Sequence, residues 1–157
     1  MPLLTQLIIF IVVVTLIYAI SRQLKARFTR QNSGKRIVRL RPDDAQESFY
    51  CAVVGESFAN DDGQTRQSII KRHAKAGIHA HLEREPNNRF DSNAIAVYVA
   101  DNQIGYLKSD VASRHAASID SGRLALYAVV ESVNGGTSDK PSLGVTLEVT
   151  IFKVRRQ

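Results

Sequence analysis

Arg84 to Ile95 reads REPNNRFDSNAI, and its placement decides the fold. Pro86, Asn87, Asn88, Asp91 and Asn93 make the stretch too turn-prone for a strand interior. Immediately before it, Ile78 to Arg84 (IHAHLER) alternates, with Ile78, Ala80 and Leu82 on one face and His79, His81 and Glu83 on the other. Immediately after it, Asn93 to Val99 is apolar and β-branched. The unit is therefore strand, long polar loop, strand. Two readings of the loop stand side by side. Asn and Asp side chains commonly tie down their own backbone in turns. Equally, a carboxylate can accept from a sugar hydroxyl, an Asn can serve a base edge, and Phe90 offers a stacking face for an unpaired base.

Working outward, Phe49 to Ser57 (FYCAVVGES) predicts a buried strand. Gln64 to Ala76 predicts a helix with Ile69, Ile70, His73 and Ala74 on one face, capped by Asp61 or Asp62 and stopped by Gly77. Gln103 to Leu107 is a further short strand. Ser109 is placed to cap a second helix running to about Ser121, with Val111, Ala112, His115, Ala116 and Ile119 inward and Gly122 closing it. Leu124 to Val133 and Leu143 to Val154 then alternate as strands, the second with Leu143, Val145, Leu147, Val149 and Ile151 on one face. The expected class is α+β, mainly β: about six strands and two helices in a small antiparallel barrel or strongly bent sheet.

The ordered set Gly55-Glu56, Arg84 to Ile95, Gly105-Tyr106-Leu107-Lys108 and the alanine-rich stretch Val111 to Ile119 resembles the HIRAN domain, over roughly residues 49 to 152. The resemblance implies an OB-like modified β-barrel that binds single-stranded DNA and captures a free 3′-hydroxyl end. On it, Asn88 and Asp91 match positions that contact the terminal nucleotide. Phe90 takes the place of the loop aromatic, with Asn93 in the same block. Tyr106 falls where the DNA-end binders carry a polar ring residue, and Lys108 is near enough to meet a phosphate. The chain departs from the pattern after Gly55, where those members carry an Arg followed by aromatics. Here Glu56-Ser57-Phe58 precedes an acidic insert, Asn60-Asp61-Asp62-Gly63, leaving Phe58 as the ring on that side.

The N-terminal part is of another kind. Leu3 to Ile20 is an 18-residue run without a charged residue. As a helix it measures roughly 27 Å, close to the hydrocarbon thickness of a bilayer. No basic residue precedes the run and Tyr18-Ala19-Ile20 is a poor cleavage motif, so a membrane span at 1–21 is expected in preference to a cleaved signal. Of the 21 Lys and Arg, eight (Arg22 to Arg41) precede the first acidic residue, Asp43. Residues 1–42 thus carry +8 and residues 43–157, with 13 basic and 15 acidic, carry −2. The basic flank predicts a single-pass topology, N-terminus out and the C-terminal domain cytoplasmic, with Arg22 to Arg41 able to attract anionic lipid. The organisation expected is span 1–21, juxtamembrane linker 22–44, domain 45–154 and basic tail 155–157.

The single cysteine, Cys51, excludes an internal disulfide and reads as a small buried hydrophobe. No Walker loop, nucleophile elbow, HExxH or GxGxxG occurs, so no enzyme and no cofactor are expected. His79 and His81, with Glu83, are weak candidates for a metal, but same-face neighbours on a strand diverge, and no metal is expected. The sequence therefore predicts a membrane-anchored domain that binds nucleic acid, single-stranded DNA or DNA ends, through Phe58, Asn88, Phe90, Asp91, Asn93, Tyr106 and Lys108. The alternative is a membrane-tethered protein-interaction adaptor, motivated by the acidic domain and the missing arginine.

Overall fold

The structure, a computed structural model, describes residues 40–154. The expected span, most of the linker and the basic tail lie outside those residues. Among the described residues no helix is long and apolar enough to cross a membrane.

A 3₁₀ turn, Pro42–Asp44, leads into six strands: β1 (Ala45–Val54), β2 (His79–Arg84), β3 (Ile95–Val99), β4 (Asn102–Leu107), β5 (Leu124–Asn134) and β6 (Gly144–Lys153). Two helices interrupt them, α1 (Arg66–His73) and α2 (Ser109–Asp120). The strands close into an antiparallel barrel in the order β1-β4-β3-β2-β5-β6. Alternation along β6 does what its sequence predicts: Val145, Leu147, Val149 and Ile151 are buried while the residues between them are not. Val145, Leu147 and Val149 meet Cys51 and Val53 of β1, Ile95, Val97 and Val99 of β3, and Ile69 and Ile70 of α1 in one continuous core.

Two seams of the barrel are narrow. β1 pairs β4 only at Val53 with Leu107 and Val54 with Tyr106. β2 pairs β5 only at His79 with Val129 and Ala80 with Ala128. Closure at the first seam depends on Gly105, where an added Cβ would stand 2.5 Å from both Val53 Cγ1 and the Val54 carbonyl oxygen.

Local details differ from the sequence expectation. β1 begins at Ala45 and ends at Val54, because the polar residues before Phe49 pair with β6 and Gly55, at φ +79°, turns the chain out of the sheet. Helix α1 is shorter than Gln64 to Ala76. Thr65 caps it by accepting from the Ser68 N–H, while Asp62 spends its carboxylate on the backbone and side-chain amides of Gln64. Ile78 is exposed, since the left-handed Gly77 delays the pleat until His79; Ala80 faces inward as expected. Ser109 is the first residue of α2 and not its cap. The cap position falls to Lys108, whose side chain makes no capping bond, and the Ser109 hydroxyl donates to Asp91 instead.

Candidate nucleic-acid interface

The polar stretch at 85–94 folds as a tied loop. The Glu85 N–H donates to the Ala94 carbonyl, closing the base, and the Asn88 N–H donates back to the Glu85 carbonyl. Asn88 Oδ1 accepts from the N–H groups of Phe90 (2.9 Å) and Asp91 (3.2 Å). Asp91 Oδ1 accepts from the Asn93 N–H at 2.8 Å, and its Oδ2 accepts from the Ser109 hydroxyl at 3.1 Å. Arg84 clamps the returning chain, donating to the carbonyls of Ala94 and Ser92 and gripping both carboxylate oxygens of Asp120 in α2. The loop's Asn and Asp side chains thus do what the turn reading expects. They fix the backbone, and the fixed backbone lifts Phe90 out, 83% exposed, with the Arg89 guanidinium over its ring at 4.5 Å.

Beside this loop runs a groove of about 980 Å³. Val54 and Gly55 at the end of β1, the turn carrying Phe58, and Tyr98 and Tyr106 on β3 and β4 form its other walls. Phe58 is 66% exposed and stands on the rim. The floor is polar. Arg66, only 7% exposed, donates to Asn60 Oδ1 (2.8 Å), the Gly55 carbonyl (3.0 Å) and Gln103 Oε1 (3.2 Å), and its guanidinium lies 5.2 Å from the centre of the Tyr106 ring. The Tyr106 hydroxyl donates to Glu85 Oε2 at 3.2 Å. Burial, then the nearby carboxylates of Glu85 and Glu83, raises the Tyr98 phenol above its ordinary value, so it stays a neutral O–H donor at physiological pH.

Of the seven residues predicted from sequence, Phe58, Asn88, Phe90, Asp91 and Tyr106 come together in this groove. Asn93 and Lys108 do not line it. Asn93 sits inside the turn that the Ala94 N–H closes on the Asp91 carbonyl, its own N–H bound to Asp91 Oδ1, just before the chain enters β3. Lys108 follows buried Leu107 into α2 and faces a separate cleft of about 400 Å³ with Phe49, Tyr50, Arg114 and His115. Arg66, Asn60, Glu85, Tyr98 and Gln103 line the groove without being among the seven predicted residues. A signal existed for one of them: a cation in the first turn of a helix opposes the macrodipole and calls for a reason. The acidic insert also has one, since it carries Asn60, which orients Arg66 and donates to the Gln103 carbonyl. An arginine does therefore stand at Gly55, brought there from α1.

The histidines of β2 are otherwise engaged. His79 packs on Tyr127 with ring centroids 4.9 Å apart, and His81 lies beside Tyr98 and 3.8 Å from Glu83. Among the described residues no three His, Cys, Asp or Glu side chains converge to hold a metal ion. Cys51 is buried in β1, as expected.

The family model of the HIRAN domain matches residues 46–151. The chain belongs to the HIRAN family. The crystal structure of the HIRAN domain of human HLTF superimposes with a TM-score of 0.53 at 23% identity, covering 71% of this chain and 79% of that one. A crystal structure of a Lactobacillus plantarum protein gives the same score at 24% identity, covering 69% and 94%. A solution structure of the HLTF HIRAN domain in its DNA-bound conformation aligns at 0.49 and 23% identity, over 71% and 79%. No curated protein matches the chain by sequence. The six-stranded barrel with two helices is thus the HIRAN barrel, and the groove belongs to it.

Proposed function

We propose that this HIRAN barrel binds nucleic acid, single-stranded DNA or a DNA 3′ end, in the groove between the 85–94 loop and the Phe58 turn, as a binding module without catalysis. The observation that carries the reading is the pair of rim rings, Phe58 and Phe90, left exposed above a polar floor. Two large aromatics held in water beside a concave polar site suit a ligand with flat faces, and each base stacked on such a ring contributes about 1–3 kcal/mol. The ionic groups lining the groove are Arg66 and Arg89 against Asp61, Glu85 and Asp91. Such a lining suits bases and sugar hydroxyls better than phosphates, so binding here depends less on salt than in a basic channel. On the sequence alone, the anchor at 3–20 holds the barrel at the cytoplasmic face of a membrane, with Arg22 to Arg41 against anionic headgroups.

Fluorescence anisotropy of the full chain in mild detergent, with short oligonucleotides bearing free or blocked 3′ ends, tests the reading. Binding at low salt, preference for the free end, and a loss of roughly tenfold on Phe90→Ala are expected. No binding at low salt, or indifference to both Phe90→Ala and Asp91→Ala, would sink it. The same three carboxylates favour a second reading, an adaptor that takes a basic protein segment in this groove. Recovery of a stoichiometric protein and no nucleic acid from native membranes would select it.

A further inference from the structure

Glu85 has a chemistry that holding the loop does not use up. Its backbone is fixed where β2 ends, by the N–H bond to Ala94. Its carboxylate is gripped through one oxygen, Oε2, which accepts from Asn88 Nδ2 at 2.7 Å and from the Tyr106 hydroxyl at 3.2 Å. Two donors from two different elements leave the side chain one orientation. No described residue donates to the other oxygen, Oε1, and Glu85 lines the groove. Tyr106, whose hydroxyl Glu85 holds, has the Arg66 guanidinium at its ring. A carboxylate locked through one oxygen, with the other unused at the groove, suits a donor from the ligand, and a carbonyl placed there would be repelled.

We infer that Glu85 reads the edge of the base held in the groove and selects bases presenting an amino group. The inference rests on the nucleic-acid reading above and specifies its ligand. Adenine, cytosine and guanine each carry an exocyclic amine able to donate to Oε1, as carboxylates accept from cytosine N4 elsewhere. Thymine offers one ring N–H set between two carbonyl oxygens, and both of those face the carboxylate unfavourably.

The test uses four single strands of equal length that differ only in the 3′-terminal base, titrated against the full chain by anisotropy at one low salt concentration. Ends in dA, dC or dG bind roughly tenfold tighter than the end in dT. In Glu85→Gln the amide oxygen still accepts from Asn88 and Tyr106 while its NH₂ faces the ligand, so the preference shifts toward dT. If Glu85 only braced the loop, the variant would weaken all four ends alike. Phe90→Ala guards against a misfolded Glu85→Gln, because it weakens every end by a similar factor and keeps their order. Equal affinity of the native chain for all four ends overturns the inference and leaves the nucleic-acid reading standing. A uniform loss in a Glu85→Gln chain whose unfolding midpoint is unchanged does the same. Failure to bind any of the four sinks both.

Discussion

Arg66 and Tyr98 show how single side chains set the character of the groove. Burying a guanidinium is costly unless its N–H groups are met, and Arg66 meets three acceptors drawn from three separate segments, together with the Tyr106 ring. All three acceptors are neutral, so its charge is not cancelled at the floor and offsets part of the carboxylate charge around it. Tyr98 feels the opposite influence. Burial and the Glu85 and Glu83 charges raise its phenol above the ordinary value, with Arg66 opposing. The unfolded chain releases this proton near pH ~10 while the folded chain keeps it to higher pH. The corresponding stability is therefore complete below the unfolded value and lost as pH rises through the folded one. Urea unfolding between neutral pH and pH 11 should show the native chain losing stability above pH ~10 more steeply than Tyr98→Phe; parallel curves would refute the linkage. The candidate site was legible where its chemistry was local. Asn88, Phe90 and Asp91 announced themselves by crowding one loop. Arg66 left only the signal of a cation in the first turn of a helix, and Asn60 and Gln103 left none, because an Asn in a turn and a Gln in a strand are ordinary until distant segments bring them together.

At the scale of elements, the groove depends on the β1–β4 seam, whose two residue pairs place Gly55 and Tyr106 side by side. Gly105 makes that approach possible. Gly105→Ala should destabilise the domain by about 1–3 kcal/mol, the range for overpacking a filled interior, and weaken ligand binding by displacing Tyr106. The urea midpoint and the anisotropy titration check the two effects, and an unchanged midpoint would show that the seam yields without cost. The strands were readable because alternation is a local property: β6 buries the residues its pattern nominates. Element ends were less so. Thr65 displaced Asp62 as the cap of α1, since Asp62 found a nearer partner in Gln64. Ser109 gave up the cap of α2 to reach Asp91, across from another element. Caps fail as sequence signals when a competing acceptor or donor lies outside the local stretch.

At the scale of the molecule, charge is divided along the chain. The overall +6 arises because the first 42 residues carry +8 and the remainder −2. A basic domain would draw nucleic acid by releasing counterions along the phosphates; a mildly acidic one relies on rings and directed hydrogen bonds. The positive charge belongs instead beside the run Leu3 to Ile20, where the same arithmetic argues for topology. If that run anchors the protein, the full chain will stay with membranes through alkaline carbonate washing, and a chain lacking residues 1–21 will appear in the supernatant. With eight Lys and Arg following the run, protease added to inside-out vesicles should digest the barrel, while protease outside intact cells should spare it. Extraction of the full chain by carbonate would remove the anchor, and digestion from the cell exterior would invert it. An inverted topology would also part the barrel from cytoplasmic DNA, so the protease experiment bears on the ligand as directly as on the membrane.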